Sequence, residues 1–117
     1  VALHYTIKAT TKFHAAHRLT TGKCAKLHGH TWHVTVFVTT DSLESDMVID
    51  VNILKSLLDK ATKDFDHAYL NEHPAFMGYM PTMERIAEII YKRLKKEIRG
   101  DLSILVDEGG EGEVVVW

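Results

Sequence analysis

A single cysteine, Cys24, occurs in the 117 residues. One thiol excludes an intrachain disulfide framework and fits a reducing compartment. Only two prolines and seven glycines are present, and no linker, repeat or low-complexity run divides the chain. The length suits one domain over residues 1–117 rather than two. No apolar run is long enough for a membrane span or signal peptide, so the expectation is a cytoplasmic protein with no membrane partner. The net charge of −2 argues against a dedicated nucleic-acid binder. Acidic residues are missing altogether before Asp41, in a segment that holds Lys8, Lys12, Arg18, Lys23 and Lys26. Such a patch attracts anions such as phosphates, unless later acids fold back to balance it.

What the chain does have is ordinary globular composition, 45% hydrophobic and 26% charged. That supports a modest core, one that contacts between copies would supplement. Leu3, Tyr5, Ile7 and Ala9 alternate with polar residues, and the odd parity continues through Phe13, Ala15, His17 and Leu19. This predicts a strand with His17 facing inward and His14 outward. A second strand, 28–40, carries His28, His30, Trp32, Val34, Val36 and Val38 on one face and His33 on the other. Met47–Ile49 reads as a short further strand. Asp50 then caps a helix running to about Asp64, and Thr82 caps a second one that Gly100 stops. Leu102–Asp107 and Val114–Trp117 complete the pattern. The order strand, strand, helix, helix, strand, strand predicts an α+β fold: a four-stranded antiparallel sheet with two helices on one face.

Eight histidines are present, and their spacing singles out three. On an extended strand His28 and His30 leave the same face, and His17 closes a three-nitrogen set. Three protein ligands and one open position match a catalytic zinc, although iron, nickel and copper also take imidazole. Cys24, between Lys23 and Lys26, is a candidate base, nucleophile or fourth ligand, or simply a small buried hydrophobe. Asp66 beside His67 is either a helix-end cap with a surface histidine or a carboxylate that orients an imidazole for proton transfer. Glu108, at a strand end before glycines, is either solvated or accepts two N–H donors from a guanidine-like ring edge.

Several stretches, in this order, carry a resemblance. They are Phe13-His14-Ala15-Ala16-His17-Arg18-Leu19, Cys24-x-x-x-His28-Gly29-His30, Asp66-His67-x-x-Leu70-Asn71, Pro81-Thr82-x-Glu84 and the Glu108 strand end. Together the chain resembles the 6-pyruvoyltetrahydropterin synthase superfamily of the tunnelling fold, and within it the 6-carboxy-5,6,7,8-tetrahydropterin synthase branch of queuosine and related deazapurine synthesis. The resemblance implies zinc on His17, His28 and His30. It implies Cys24 as the proton-abstracting base and Asp66 with His67 as a relay. Glu108 would anchor the pterin ring, with Thr82 and Glu84 assisting. The implied substrate is 7,8-dihydroneopterin triphosphate, and the implied assembly is a homohexamer built from two trimers, with active sites between subunits. The sequence departs from the family pattern at Asp46 (commonly glycine), Val51 (commonly phenylalanine) and Gly109 (usually threonine), and the 18–23 loop is short. The alternatives are the pyruvoyl product, a non-catalytic zinc or pterin-binding module, and a His-x-His oxygenase-type site, which would want an acidic ligand near the histidines.

Overall fold

The computed structural model describes residues 2–20, 22–110 and 112–117, without the side chains of Lys23 and Cys24. Its elements are β1 (Tyr5–His17), β2 (His28–Thr40), α1 (Val51–Thr62), β3 (Ala68–Tyr69), α2 (Met83–Lys95), β4 (Asp101–Asp107) and β5 (Glu113–Val116). They form one sheet in the order β3-β1-β2-β4-β5, antiparallel except where β3 runs parallel to β1. Among the described residues, no helix is long and apolar enough to cross a membrane.

The β1–β2 pairing is an unbroken ladder from Tyr5↔Thr40 to His17↔His28. Because no bulge intervenes, the predicted parity holds over its full length. Trp32, Val34, Val36 and Val38 are fully buried, and Phe13 and Ala15 join them on the same face. Leu54 and Leu58 of α1, and Ile86, Ala87, Ile90 and Leu94 of α2, complete one core, so both helices cover the same side of the sheet. Each such buried aliphatic side chain contributes roughly 1.5–3 kcal/mol. The opposite face of the ladder carries Lys8, Thr10, Lys12, His14 and His33, all exposed.

The helix caps form as expected. Asp50 accepts the Asn52 N–H at 2.7 Å, and Thr82 accepts the Arg85 N–H at 3.2 Å. Three expectations need correction. The sheet has a fifth strand, β3, and is therefore mixed rather than four-stranded and antiparallel. Two residues are too few to show periodicity, and β3 exists only because β1 has a free edge there. Met47–Ile49 makes no strand, since Met47 is used in a tight bridge to Glu44 with backbone bonds of 2.9 and 3.0 Å. The first helix stops at Thr62 and continues as a 3-10 turn, Lys63–Phe65.

Asp46, where the family commonly has glycine, sits at φ 64°, a left-handed conformation that aspartate tolerates better than most residues. Gly100 lies beyond the end of α2 and turns the chain into β4 at φ +97°. A Cβ added there would stand 2.9 Å from Thr40 Cγ2 and 3.0 Å from the Thr39 carbonyl oxygen. Gly100→Ala is expected to cost about 1–3 kcal/mol of stability. Urea unfolding checks this, and an unchanged midpoint would contradict the constraint.

Candidate metal centre

The ladder register sets the site. His17 pairs with His28, and Ala15 with His30, so all three imidazoles emerge on the core face at the end of the apolar stripe. Trp32 closes that stripe: its indole N–H donates to the Ala15 carbonyl at 3.1 Å, and its ring meets His17 and His30 edge-on at 4.9 and 5.3 Å. The three imidazoles are 4.5, 4.7 and 5.2 Å apart by centroid, each pair close to perpendicular. Their ligand atoms lie within 4.8 Å of one another, a grouping that can hold a metal ion.

The protonation pattern suits that role. His17 Nδ1–H donates to the Pro81 carbonyl at 2.8 Å, and His28 Nδ1–H to the Lys26 carbonyl at 2.6 Å. A carbonyl can only accept, so both rings carry a proton on Nδ1, which leaves Nε2 as the atom each can offer a metal. This is how outer partners orient metal-bound histidines. Burial lowers the pKa of His17, the bond to Pro81 opposes this, and the neighbouring His28 and His30 lower it further. The Nε2 atoms of His17 and His30 are buried with no hydrogen-bond partner. Leaving such a group unpaired costs about 1–3 kcal/mol, so a converging pair of them signals a ligand.

Asp66 and His67 lie on the other side of the sheet. Asp66 Oδ1 accepts the His14 backbone N–H at 2.9 Å, while Oδ2 is 2.9 Å from His67 Nδ1. The hydrogen bond from the His14 backbone N–H holds the Asp66 carboxyl below its usual range; burial opposes this, and the bond and charge of His67 add to the lowering. The His67 ring packs edge-on against that of His14, 6.2 Å away, and His14 shares a 3.0 Å hydrogen bond with Thr31 on the face turned away from the helices. The aspartate thus touches the imidazole, but within one chain the sheet separates this pair from the three histidines.

The remaining expected residues divide. Glu108 reaches the histidines: its Oε2 is 3.6 Å from His30 Nε2 and 3.8 Å from His17 Nε2. Thr82 follows Pro81 at the rim and spends its hydroxyl acceptor on the cap of α2. Glu84 is exposed in the first turn of α2, and nothing brings it to the histidines. The Cys24 side chain lies outside the described residues, as does that of Lys23. His33 is exposed on the opposite face. Sequence reasoning missed the carbonyls of Pro81 and Lys26, because backbone acceptors leave no residue-type signal. It also gave no role to Asn71, whose amide grips the Arg18 N–H and carbonyl, both at 2.8 Å, just past His17.

The model of the family described as 6-pyruvoyl tetrahydropterin synthase matches residues 6–108. The chain belongs to that family. It is 40% identical to a Synechocystis protein named 6-carboxy-5,6,7,8-tetrahydropterin synthase, over 72% of this chain and 70% of that one. It is also 34% identical to a Pyrococcus furiosus protein named dihydroneopterin monophosphate aldolase, over 79% of this chain and 76% of that one. In fold it matches the 6-pyruvoyl tetrahydropterin synthase of Caenorhabditis elegans with a TM-score of 0.85 at 22% identity, over 97% of this chain and 95% of that one. The three histidines therefore sit in a pterin synthase family scaffold.

The expected metal content is one ion per subunit, retained in His14→Ala and His33→Ala and lost in His17→Ala, His28→Ala and His30→Ala. Elemental analysis of the purified variants checks this. Full metal in His28→Ala, or its loss in His33→Ala, would overturn the ligand set.

Proposed function

We propose that this protein is a zinc-dependent lyase that converts 7,8-dihydroneopterin triphosphate and one water to 6-carboxy-5,6,7,8-tetrahydropterin, acetaldehyde and triphosphate, a step toward queuosine and related deazapurines. The observation that carries the reading is the pair of unpartnered, buried Nε2 atoms of His17 and His30, with His28 beside them, in a family whose relatives include a carboxytetrahydropterin synthase. Zinc would supply Lewis acidity to the substrate side chain. His17, His28 and His30 would hold it, and the carbonyls of Pro81 and Lys26 keep the rings of His17 and His28 in the ligating tautomer. Cys24 abstracts the side-chain proton. Asp66 holds His67 in place to move a proton on the other side of the substrate. Glu108 accepts N–H donors from the pterin ring, with Thr82 and Glu84 in lesser parts. The basic residues before Asp41 suit the triphosphate.

A second reading is favoured by the Pyrococcus relative: aldol cleavage of a dihydroneopterin monophosphate. Both reactions break a carbon–carbon bond of the side chain, but only the first releases triphosphate. Product mass analysis on both substrates separates them. Cys24→Ala is expected to keep its metal and lose about 10²–10⁴-fold in turnover, the usual effect of removing a general base. Near-normal turnover in that variant would sink this role, and loss of its metal would make Cys24 a ligand instead. Turnover by the unmodified protein without acetaldehyde would favour the pyruvoyl product.

The relay implies a shared site. Asp66–His67 and the three histidines occupy opposite faces of one sheet, so a relay acting at the metal comes from another copy of the chain. The outer strand β5, with Val115 50% exposed, and Trp117 just after it, 91% exposed, make an apolar edge suited to pairing between copies. The assembly this supports is a homohexamer of two trimers. Co-refolding inactive His28→Ala with inactive His67→Ala is expected to restore part of the activity, because some mixed interfaces hold one intact site. No recovery, or a stable monomer in sedimentation at micromolar concentration, would refute the shared site.

A further inference from the structure

Glu108 stands where strand parity aims it. Val106, opposite Val34, is fully buried on the core face. Glu108 is the next residue of that parity, level with Trp32, and so points toward the histidines and not to the open face. The turn that follows preserves this. Asp107 Oδ1 accepts the Gly109 N–H at 2.6 Å, and Gly109 adopts φ +79°, a conformation that threonine, usual here in the family, adopts only under strain.

The resulting contact is not a hydrogen bond. His17 Nε2 bears a lone pair, because its proton is on Nδ1 facing Pro81. A carboxylate oxygen is also an acceptor. Its separations of 3.8 Å from His17 Nε2 and 3.6 Å from His30 Nε2 exceed hydrogen-bond range. Acceptors converge in this way around a cation. Two donors about 2.0–2.2 Å from one tetrahedral zinc stand roughly 3.3–3.6 Å apart. The carboxylate comes near that spacing toward His30 and His17 but stands outside the 4.8 Å grouping of the three histidines, so it must swing inward to complete the set.

We infer that Glu108 is a fourth donor to the metal in the substrate-free protein. This rests on the reading of His17, His28 and His30 as the metal site. The carboxylate neutralises part of the ion's charge and closes the position that would otherwise face water. Substrate entry displaces it, and the released carboxylate then meets the N–H edge of the ring. Glu108 therefore has two positions, and the open coordination site appears only when substrate is present to use it.

The test compares the unmodified protein, Glu108→Gln, Glu108→Ala and the off-site His33→Ala. Each is stripped of metal, then titrated with Co²⁺ and, by chelator competition, with Zn²⁺. Both Glu108 variants are expected to lose about 10-fold or more in metal affinity and to show an altered visible cobalt spectrum, with His33→Ala matching the unmodified protein. Unchanged affinity and spectrum in both Glu108 variants, while the unmodified protein binds one ion that His28→Ala loses, would overturn this inference alone. Failure of the unmodified protein to bind either metal would overturn the histidine site as well. A second readout needs no mutation: 7,8-dihydroneopterin added to the cobalt protein is expected to change its visible spectrum, and an unchanged spectrum on saturation would contradict the displacement.

Discussion

The register of β1 against β2 is the constraint on which the rest depends. Side chains alternate along a strand with a period of two, so one extra residue anywhere between Ala9 and His17 would swing His17 to the open face. His28 and His30 would then face nothing. The hydrophobic residues hold that register. Phe13 and Trp32 are paired, stack with centroids 6.0 Å apart, and are essentially removed from solvent. Slipping the strands by one residue would expose the whole Val34–Val36–Val38 stripe, at a cost of several kcal/mol by the usual burial values. The core thus positions a polar site that contributes nothing to the core.

Where the core ends, specific polar contacts take over. β1 leaves the sheet after His17, and its last backbone groups need partners. Asp66 and Asn71 supply them at His14 and Arg18, on either side of His17. Leu70, between them, is fully buried and anchors the segment. Its base is locked further by Asp64. Burial alone would raise the Asp64 carboxyl, but the forked bonds from Arg93 at 2.7 and 3.0 Å outweigh that and hold it below its usual range. His67 is carried in this frame at φ 59°, a conformation that costs a histidine of order 1–3 kcal/mol. The neighbouring contacts offset that cost.

Much of this was legible in the residues themselves. The alternation in 28–40 is clean because one face is fully buried, and the caps at Asp50 and Thr82 follow from local side-chain chemistry. Parity alone separated His17 from His14, and His30 from His33. What could not be read has a common cause: it depends on groups that become neighbours only after folding. β3 is two residues whose strand character comes wholly from the free edge of β1. Met47–Ile49 looks like a strand by composition, but its backbone closes a local turn. The carbonyls of Pro81 and Lys26 orient the histidines from positions whose side chains say nothing about it. Glu108 was recognisable as a carboxylate at a strand end. That its oxygen faces the Nε2 atoms of His17 and His30 follows only from the β2–β4 pairing.

The two faces of the ladder impose a further condition on chemistry. A side chain cannot cross its own sheet, so no rotamer of His67 brings it to the histidines of the same chain. If both groups act on one substrate, the only route is a neighbouring copy that offers its open face to the metal side of the next. Completion of the site would then be linked to association by mass action. Dilution would disable catalysis without unfolding any subunit or releasing its metal. The apolar outer strand β5 would therefore be under functional constraint even though it contains no reacting group.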